Sequence, residues 1–130
     1  MPLRYRFSKR RNPLNTNDIQ HIMQAVSTGT VDLEQISYEI SHECSLSAVD
    51  VKFVLMALAP KMLFHLEDGK IVDLEHLGKF KVGMKGKAQP SQDLLRVKGI
   101  QKFHLNFQPS VKIKRWLKKG LQIRKEPPRK

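Results

Sequence analysis

Acidic residues are absent from the first 12 positions of this 130-residue chain and scarce after position 78, where only Asp93 and Glu126 occur. A single cysteine, Cys44, excludes an intramolecular disulfide and a cysteine-rich zinc site. No stretch approaches the ~18 consecutive apolar residues of a membrane span. The opening MPLRYRFSKRR has no apolar segment of the signal-peptide kind. The expectation is a soluble cytoplasmic protein in a reducing compartment, with no membrane partner. Glycine-rich phosphate loops are also missing. His21, His42, His65, His76 and His104 are scattered without metal-ligand spacing, and no Ser/His/Asp arrangement can be assembled. No enzymatic activity, cofactor, metal or small-molecule substrate is therefore expected.

What the chain does have is sorted charge. Five cations and no acid lie in residues 1–12, residues 13–78 carry a net −7, and residues 79–130 carry a net +14. Solubility alone does not require such sorting. Positive charge concentrated in both ends attracts a polyanion to one surface and leaves the acidic middle for another use. With a pI near 10.1, nucleic acid is the first class of partner to consider. Hydrophobic content of 40% permits a modest core and one main domain.

Periodicity outlines the elements. Leu3, Tyr5 and Phe7 alternate with Arg4, Arg6 and Ser8, a short strand pattern with a cationic face that the run Lys9-Arg10-Arg11-Asn12-Pro13 then ends. Residues 14–30 fit a loose helix or, over His21–Val26, a strand, before the turn Ser27-Thr28-Gly29-Thr30. Asp32 with Gln35 forms a capping-box signature for a first helix. Leu33, Ile36, Ile40 and Cys44 lie on its apolar stripe, which places the cysteine as a small buried side chain. Ser47 with Asp50 caps a second helix over about Ala48 to Leu66, in which Pro60 is expected to cause a kink or an early break. Short strands are read over Ile71–Leu74, Leu77–Met84 and Ile100–Gln108. In the second, Phe80, Val82 and Met84 oppose Lys79, Lys81 and Lys85. Ser110 caps a last helix in which Lys112, Lys114, Arg115, Lys118 and Lys119 wrap around the axis, and Gly120 ends it. Trp116, Phe103 and Phe107 are read as core. Residues 121–130 read as a loose basic tail.

Four segments carry a family resemblance. Asp32-Leu33-Glu34-Gln35-Ile36 and Leu46-Ser47-x-x-Asp50-Val51 resemble the first helix, and the Leu-Ser turn into the second, of the HU/IHF family of bacterial histone-like proteins. Gly69-Lys70-x-Val72-x-Leu74-x-x-Leu77-Gly78-x-Phe80-x-Val82 is similar to that family's glycine-containing strand motif. Phe107-x-Pro109-Ser110-x-Lys112 looks like its entry to the last helix, with serine in place of glycine. The match covers about residues 30–118. The opening strand, the Lys-Arg-Arg-Asn-Pro run and the turn at 27–30 resemble the longer HU–HIG subgroup with an N-terminal extension.

The resemblance implies an α+β fold of HU/IHF type: a helical dimerisation body, an antiparallel β-sheet with β-arms, and a C-terminal basic helix. It implies a homodimer that grips duplex DNA in the nucleoid, with arms entering the minor groove and a tip proline wedged between base pairs. Phe80 and Phe107 stand only 27 positions apart, so the arm is shortened. Its tip, Gln89-Pro90-Ser91, lacks the arginine that usually precedes the proline. Pro90 is the candidate wedge, and an ordinary turn proline is the alternative. The expected division is a basic extension over residues 1–30, an HU-like DNA-binding domain over 31–120 and a flexible tail over 121–130.

Lysines and arginines on phosphates give salt-sensitive binding with low sequence specificity. The candidate contact set is Arg4, Arg6, Lys9, Arg10, Arg11, Lys79, Lys81, Lys85, Lys87, Arg96, Lys98, Lys102, Lys112, Lys114 and Arg115. Two other readings stand beside DNA binding. One is an RNA-binding or ribosome-associated basic protein. The other is a protein-interaction module on an HU-like dimer.

Overall fold

The computed structural model describes residues 2–128. In chain order the elements are β1 (Leu3–Asn12), β2 (Asn15–Val26), α1 (Leu33–Ser41), α2 (Ala48–Glu67), β3 (Val72–Asp73), β4 (Gly78–Gly86), β5 (Ile100–Pro109), α3 (Val111–Lys119) and β6 (Ile123–Lys125). They form two compact units. One comprises Met1–Asp32 with Lys119–Lys130, the other Leu33–Lys118.

The first unit is a three-stranded sheet in the order β2-β1-β6. β1 and β2 are antiparallel, with Arg4 opposite Val26 through to Arg11 opposite Ile19. Asn12 starts the reversal. Its Oδ1 accepts from the Leu14 N–H at 3.0 Å, and Pro13 presets the backbone between them. The open question over residues 14–30 is thus resolved as a strand, because Ile19–Val26 gains a complete ladder partner in β1. The carboxyl-terminal segment departs from the expected loose tail. Ile123–Lys125 pairs in parallel with Leu3–Tyr5. The Glu126 carboxylate meets the Arg6 guanidinium in a bidentate pair, at 2.9 Å to Nε and 3.0 Å to Nη2. Tail residues 129 and 130 lie outside the described residues.

In the second unit α1 and α2 pack together, and Lys52 forms an ion pair with Glu34 across them. Ser47 caps α2, its Oγ accepting from the Asp50 N–H at 3.2 Å. α2 runs unbroken through Pro60 to Glu67, so the expected early break does not occur. Pro60 removes one backbone bond, and helix on both sides, closed by buried Leu66, holds the chain in register. Cys44 also departs from expectation. α1 ends at Ser41, whose hydroxyl donates to the Tyr38 carbonyl at 2.6 Å and competes with the helical bond there. Cys44 falls beyond the helix and is exposed.

The second sheet has the order β3-β4-β5, all antiparallel. Phe80 lies opposite Phe107, with ring centroids 4.9 Å apart in a stacked pair. Gly78, at φ +145°, opens β4. A Cβ there would sit 2.3 Å from the Gln108 carbonyl oxygen and 2.7 Å from the Phe107 ring, so only glycine fits. Ser110 then caps α3, accepting from the Ile113 N–H at 3.2 Å while its hydroxyl donates to the His76 carbonyl at 2.6 Å.

Among the described residues the only buried apolar side chains are Val51 and Leu66. Phe103, Phe107 and Trp116, read from sequence as core, are exposed in the single chain. The apolar faces that carry them are formed as expected, but among the described residues of one chain they stay largely open.

Candidate nucleic-acid interface

Alternation along an antiparallel ladder decides which side chains share a face. In β4 the even positions Phe80, Val82 and Met84 pair with Phe107, Leu105 and Phe103 of β5. The odd positions face the other way. Lys79 lies opposite Gln108, Lys81 opposite Asn106, Gly83 opposite His104, and Lys85 opposite Lys102. Four lysines, two amides and an imidazole therefore share one surface of the hairpin. The two strands bring no carboxylate to it, although Asp73 of β3 lies across from Lys79 at the far end.

Two local features shape this surface. At Gly83 a Cβ would come within 2.4 Å of the His104 Nε2, so the glycine lets the imidazole lie across β4. Lys85 and Lys102 are directly opposed. Like charges at opposed positions repel in the free protein, and an anion placed between them removes that cost. No ion pair of Lys79, Lys81, Lys85 or Lys102 with a protein carboxylate is present among the described residues.

The connection from β4 to β5 holds Lys87, Pro90, Arg96 and Lys98. It contains two short 3-10 turns, Gln92–Leu94 and Val97–Gly99. Ser91, next to Pro90, caps the first, accepting from the Asp93 N–H at 3.3 Å. The Arg96 guanidinium folds back to donate to the Asp93 and Leu95 carbonyls. Lys87, Arg96 and Lys98 border a concavity of about 680 Å³ whose lining includes Met84, Leu94, Leu95, Val97 and Ile100. Sequence reasoning missed this apolar group. Its signal was Val97, flanked by Arg96 and Lys98 between the strands read at Leu77–Met84 and Ile100–Gln108. Val97 is 85% exposed.

α3 carries Lys112, Lys114, Arg115, Lys118 and Lys119. At 3.6 residues per turn they spread over about 160° of the helix circumference, while Ile113, Trp116 and Leu117 occupy the remainder. The cations thus cover a face broader than a single stripe, with Val111 among them.

The five N-terminal cations do not act as one group. Arg4, Arg6 and Arg10 lie on one face of the first sheet, and Lys9 and Arg11 on the other. Arg6 is already engaged by Glu126. Lys125 of β6 places its Nζ 4.9 Å from the Phe7 ring centroid on the face shared with Lys9.

Among the described residues no three His, Cys, Asp or Glu side chains converge as a metal site. No described helix is long and apolar enough to cross a membrane.

No curated protein matches the chain significantly. Its fold is similar to the crystal structure of a protein from Bacteroides vulgatus ATCC 8482 described as a bacterial DNA-binding protein. The TM-score is 0.62 at 15% sequence identity, over 85% of this chain and 46% of that one. The chain thus spans about half the length of that structure. The family model HU-HIG, described as an HU domain fused to wHTH, Ig, or Glycine-rich motif, matches residues 1–125. With nearly the whole sequence matched, and the α+β elements of an HU-like domain present, the chain belongs to the HU-HIG family.

Proposed function

We propose that this chain is a non-enzymatic, nucleoid-associated protein that binds duplex DNA as a homodimer, through phosphate contacts and with low sequence specificity. The observation that carries the reading is the lysine face of β4 and β5, where Lys79, Lys81, Lys85 and Lys102 share one surface. Each lysine that meets a phosphate releases a condensed counterion, so affinity falls with salt and depends little on base sequence. Family membership and the description of the Bacteroides vulgatus structure support DNA as the polyanion. Lys87, Lys98 and the α3 cations Lys112, Lys114, Arg115 and Lys118 add positive charge to the same unit. Arg4, Arg10, Lys9 and Arg11 lie on two faces of the other sheet, so at most one of these pairs joins any single contact.

The homodimer is supported by what one chain leaves uncovered. A folded 15.0 kDa monomer exposes about 7,000 Å², whereas this chain alone exposes 12,032 Å². Phe53, Val54, Leu63 and Phe64 of α2 are all exposed. An apolar hollow of about 500 Å³, lined in part by Leu63, Leu66, Val82, Phe103 and Leu105, lies open beside α2 and the sheet. A second copy of the helical body would cover these surfaces.

The test is a salt titration of binding to mixed-sequence duplexes, with duplex RNA and single strands as competitors. Log K should fall linearly with log salt, with a slope of roughly −0.9 per phosphate contact. A flat slope overturns the phosphate mechanism, and stronger competition by RNA overturns the choice of duplex DNA.

A further inference from the structure

The outer edge of β2 stands out among the sheet edges of this protein. β2 is 12 residues long, and among the described residues it has β1 on one side and no strand on the other. Long flat edges are normally guarded by lysines, prolines, bulges or shortness. The opposite edge of the same sheet, β6, is three residues long and carries Arg124 and Lys125. The free edge of the second sheet, β5, carries Lys102 and closes with Pro109. β2, with the sequence NTNDIQHIMQAV, has no lysine, arginine or proline. Its pairing is regular from Ile19 to Val26. In a chain with 24 lysines and arginines and a net charge of +12, this edge has Asp18 as its sole formal charge.

One face of the sheet carries an apolar group, although the same register also places Lys9, Arg11 and Lys125 on it. Leu3, Tyr5, Phe7, Ile19, Met23, Ala25 and Ile123 share it by register, and Phe7, Met23 and Ile123 are each more than half exposed.

We infer that β2 pairs antiparallel with β2 of a second copy of this chain. The result is a six-stranded sheet in the order β6-β1-β2-β2-β1-β6. The occupant is chosen by charge. Two copies that each carry +12 repel almost everywhere, and the β2 edge brings them together without opposing any cation. Register follows from the faces, because the two apolar surfaces are continuous only when the numbers of paired residues sum to an even value. A sum of 42 sets Ile19 across from Met23 of the other copy, His21 across from His21 and Asn17 across from Ala25. It joins the largest apolar side chains of the strand, the pairing that stabilises an antiparallel ladder. This interface lies in the first unit and does not depend on the DNA-binding reading or on dimerisation through the helices.

The experiment uses the full chain without nucleic acid, in a Cys44→Ser background. His21→Cys and Lys9→Cys are compared for disulfide-linked dimer formation under mild oxidation. Both positions lie on the same face, but Lys9 is one strand further in, so the two position-9 residues are three strand spacings or about 14 Å apart, beyond the ~7 Å Cα separation that a disulfide spans. The position-21 thiol should cross-link at least about tenfold faster. Equal rates, or no cross-link at position 21, overturn the proposal. Because a cysteine variant can misfold, hydrogen exchange of the unaltered chain is the second readout. β2 amides should gain protection as protein concentration rises, while β6 amides do not. Concentration-independent exchange of β2 overturns the inference, as does protection that appears only when another protein or peptide is added.

Discussion

Lys85 lies directly across from Lys102 in the β4–β5 ladder. The pair costs the free protein stability and favours the bound one, so its removal has opposite signs in the two states. Lys85→Gln should stabilise the unbound protein by a few tenths of a kcal/mol, up to about 1 kcal/mol. The same change should weaken duplex binding and reduce the salt slope by about 1. Thermal melts with and without DNA check both halves.

The connection between β4 and β5 holds two candidates for insertion between base pairs, Pro90 and the group Leu94, Leu95 and Val97. Val97 is flanked by Arg96 and Lys98, which places cations on both sides of an exposed apolar side chain. Insertion of an apolar wedge unstacks a base step and kinks the duplex. Val97→Ser should reduce DNA bending, measured by fluorescence energy transfer between duplex ends, and Pro90→Ala should leave it nearly unchanged. The reverse ranking restores Pro90 as the wedge.

Phe64 of α2 is 71% exposed in the single chain. If a second copy covers α2, Phe64→Glu buries a charge at that interface. Desolvating an unpaired carboxylate costs several kcal/mol. Sedimentation should then show the helix-mediated dimer dissociating, with a large loss of duplex affinity. An unchanged mass places the dimer interface elsewhere.

Gly78 combines φ +145° with contact against the Gln108 carbonyl and the Phe107 ring. Gly78→Ala adds backbone strain, on the order of 1–3 kcal/mol, to a steric clash with backbone that cannot swing aside. The midpoint of denaturation should drop sharply. Gly99→Ala is the control, because a Cβ there meets nothing within 4 Å.

Glu126 fastens the end of β6 through Arg6. Both side chains remain partly exposed, so solvent screening limits the pair to at most about 1 kcal/mol. Glu126→Gln should cause a small loss of global stability but faster hydrogen exchange across Ile123–Lys125. Unchanged exchange would show that the strand pairing alone holds β6.

Much of the second unit was legible in the sequence because its signals are local. Ser47 and Ser110 are capping residues whose partners lie three positions away. Phe80, Val82 and Met84 alternate with lysines, so a strand with one cationic face was readable without a partner strand. The charge sorting was complete before any folding was considered, and it selected nucleic acid as the first partner class.

Non-local pairing decided the rest. Residues 14–30 carry no decisive period, and β2 exists because β1 offers it a ladder. Ile123–Lys125 became a strand for the same reason, with its partner more than a hundred positions away. Cys44 was misjudged from helical periodicity, which does not report where a hydroxyl ends a helix, and the early break weighed at Pro60 does not occur, because proline's missing bond does not by itself end a helix that packing carries past it. By itself, then, the sequence determined the elements with local codes and the sign of the surface charge. Tertiary structure alone decided that Lys102 joins the β4 lysines on one face and that Lys85 meets it directly. The physical reason is that strand pairing takes its energy from residues distant in the chain, and its register assigns every side chain to one face or the other.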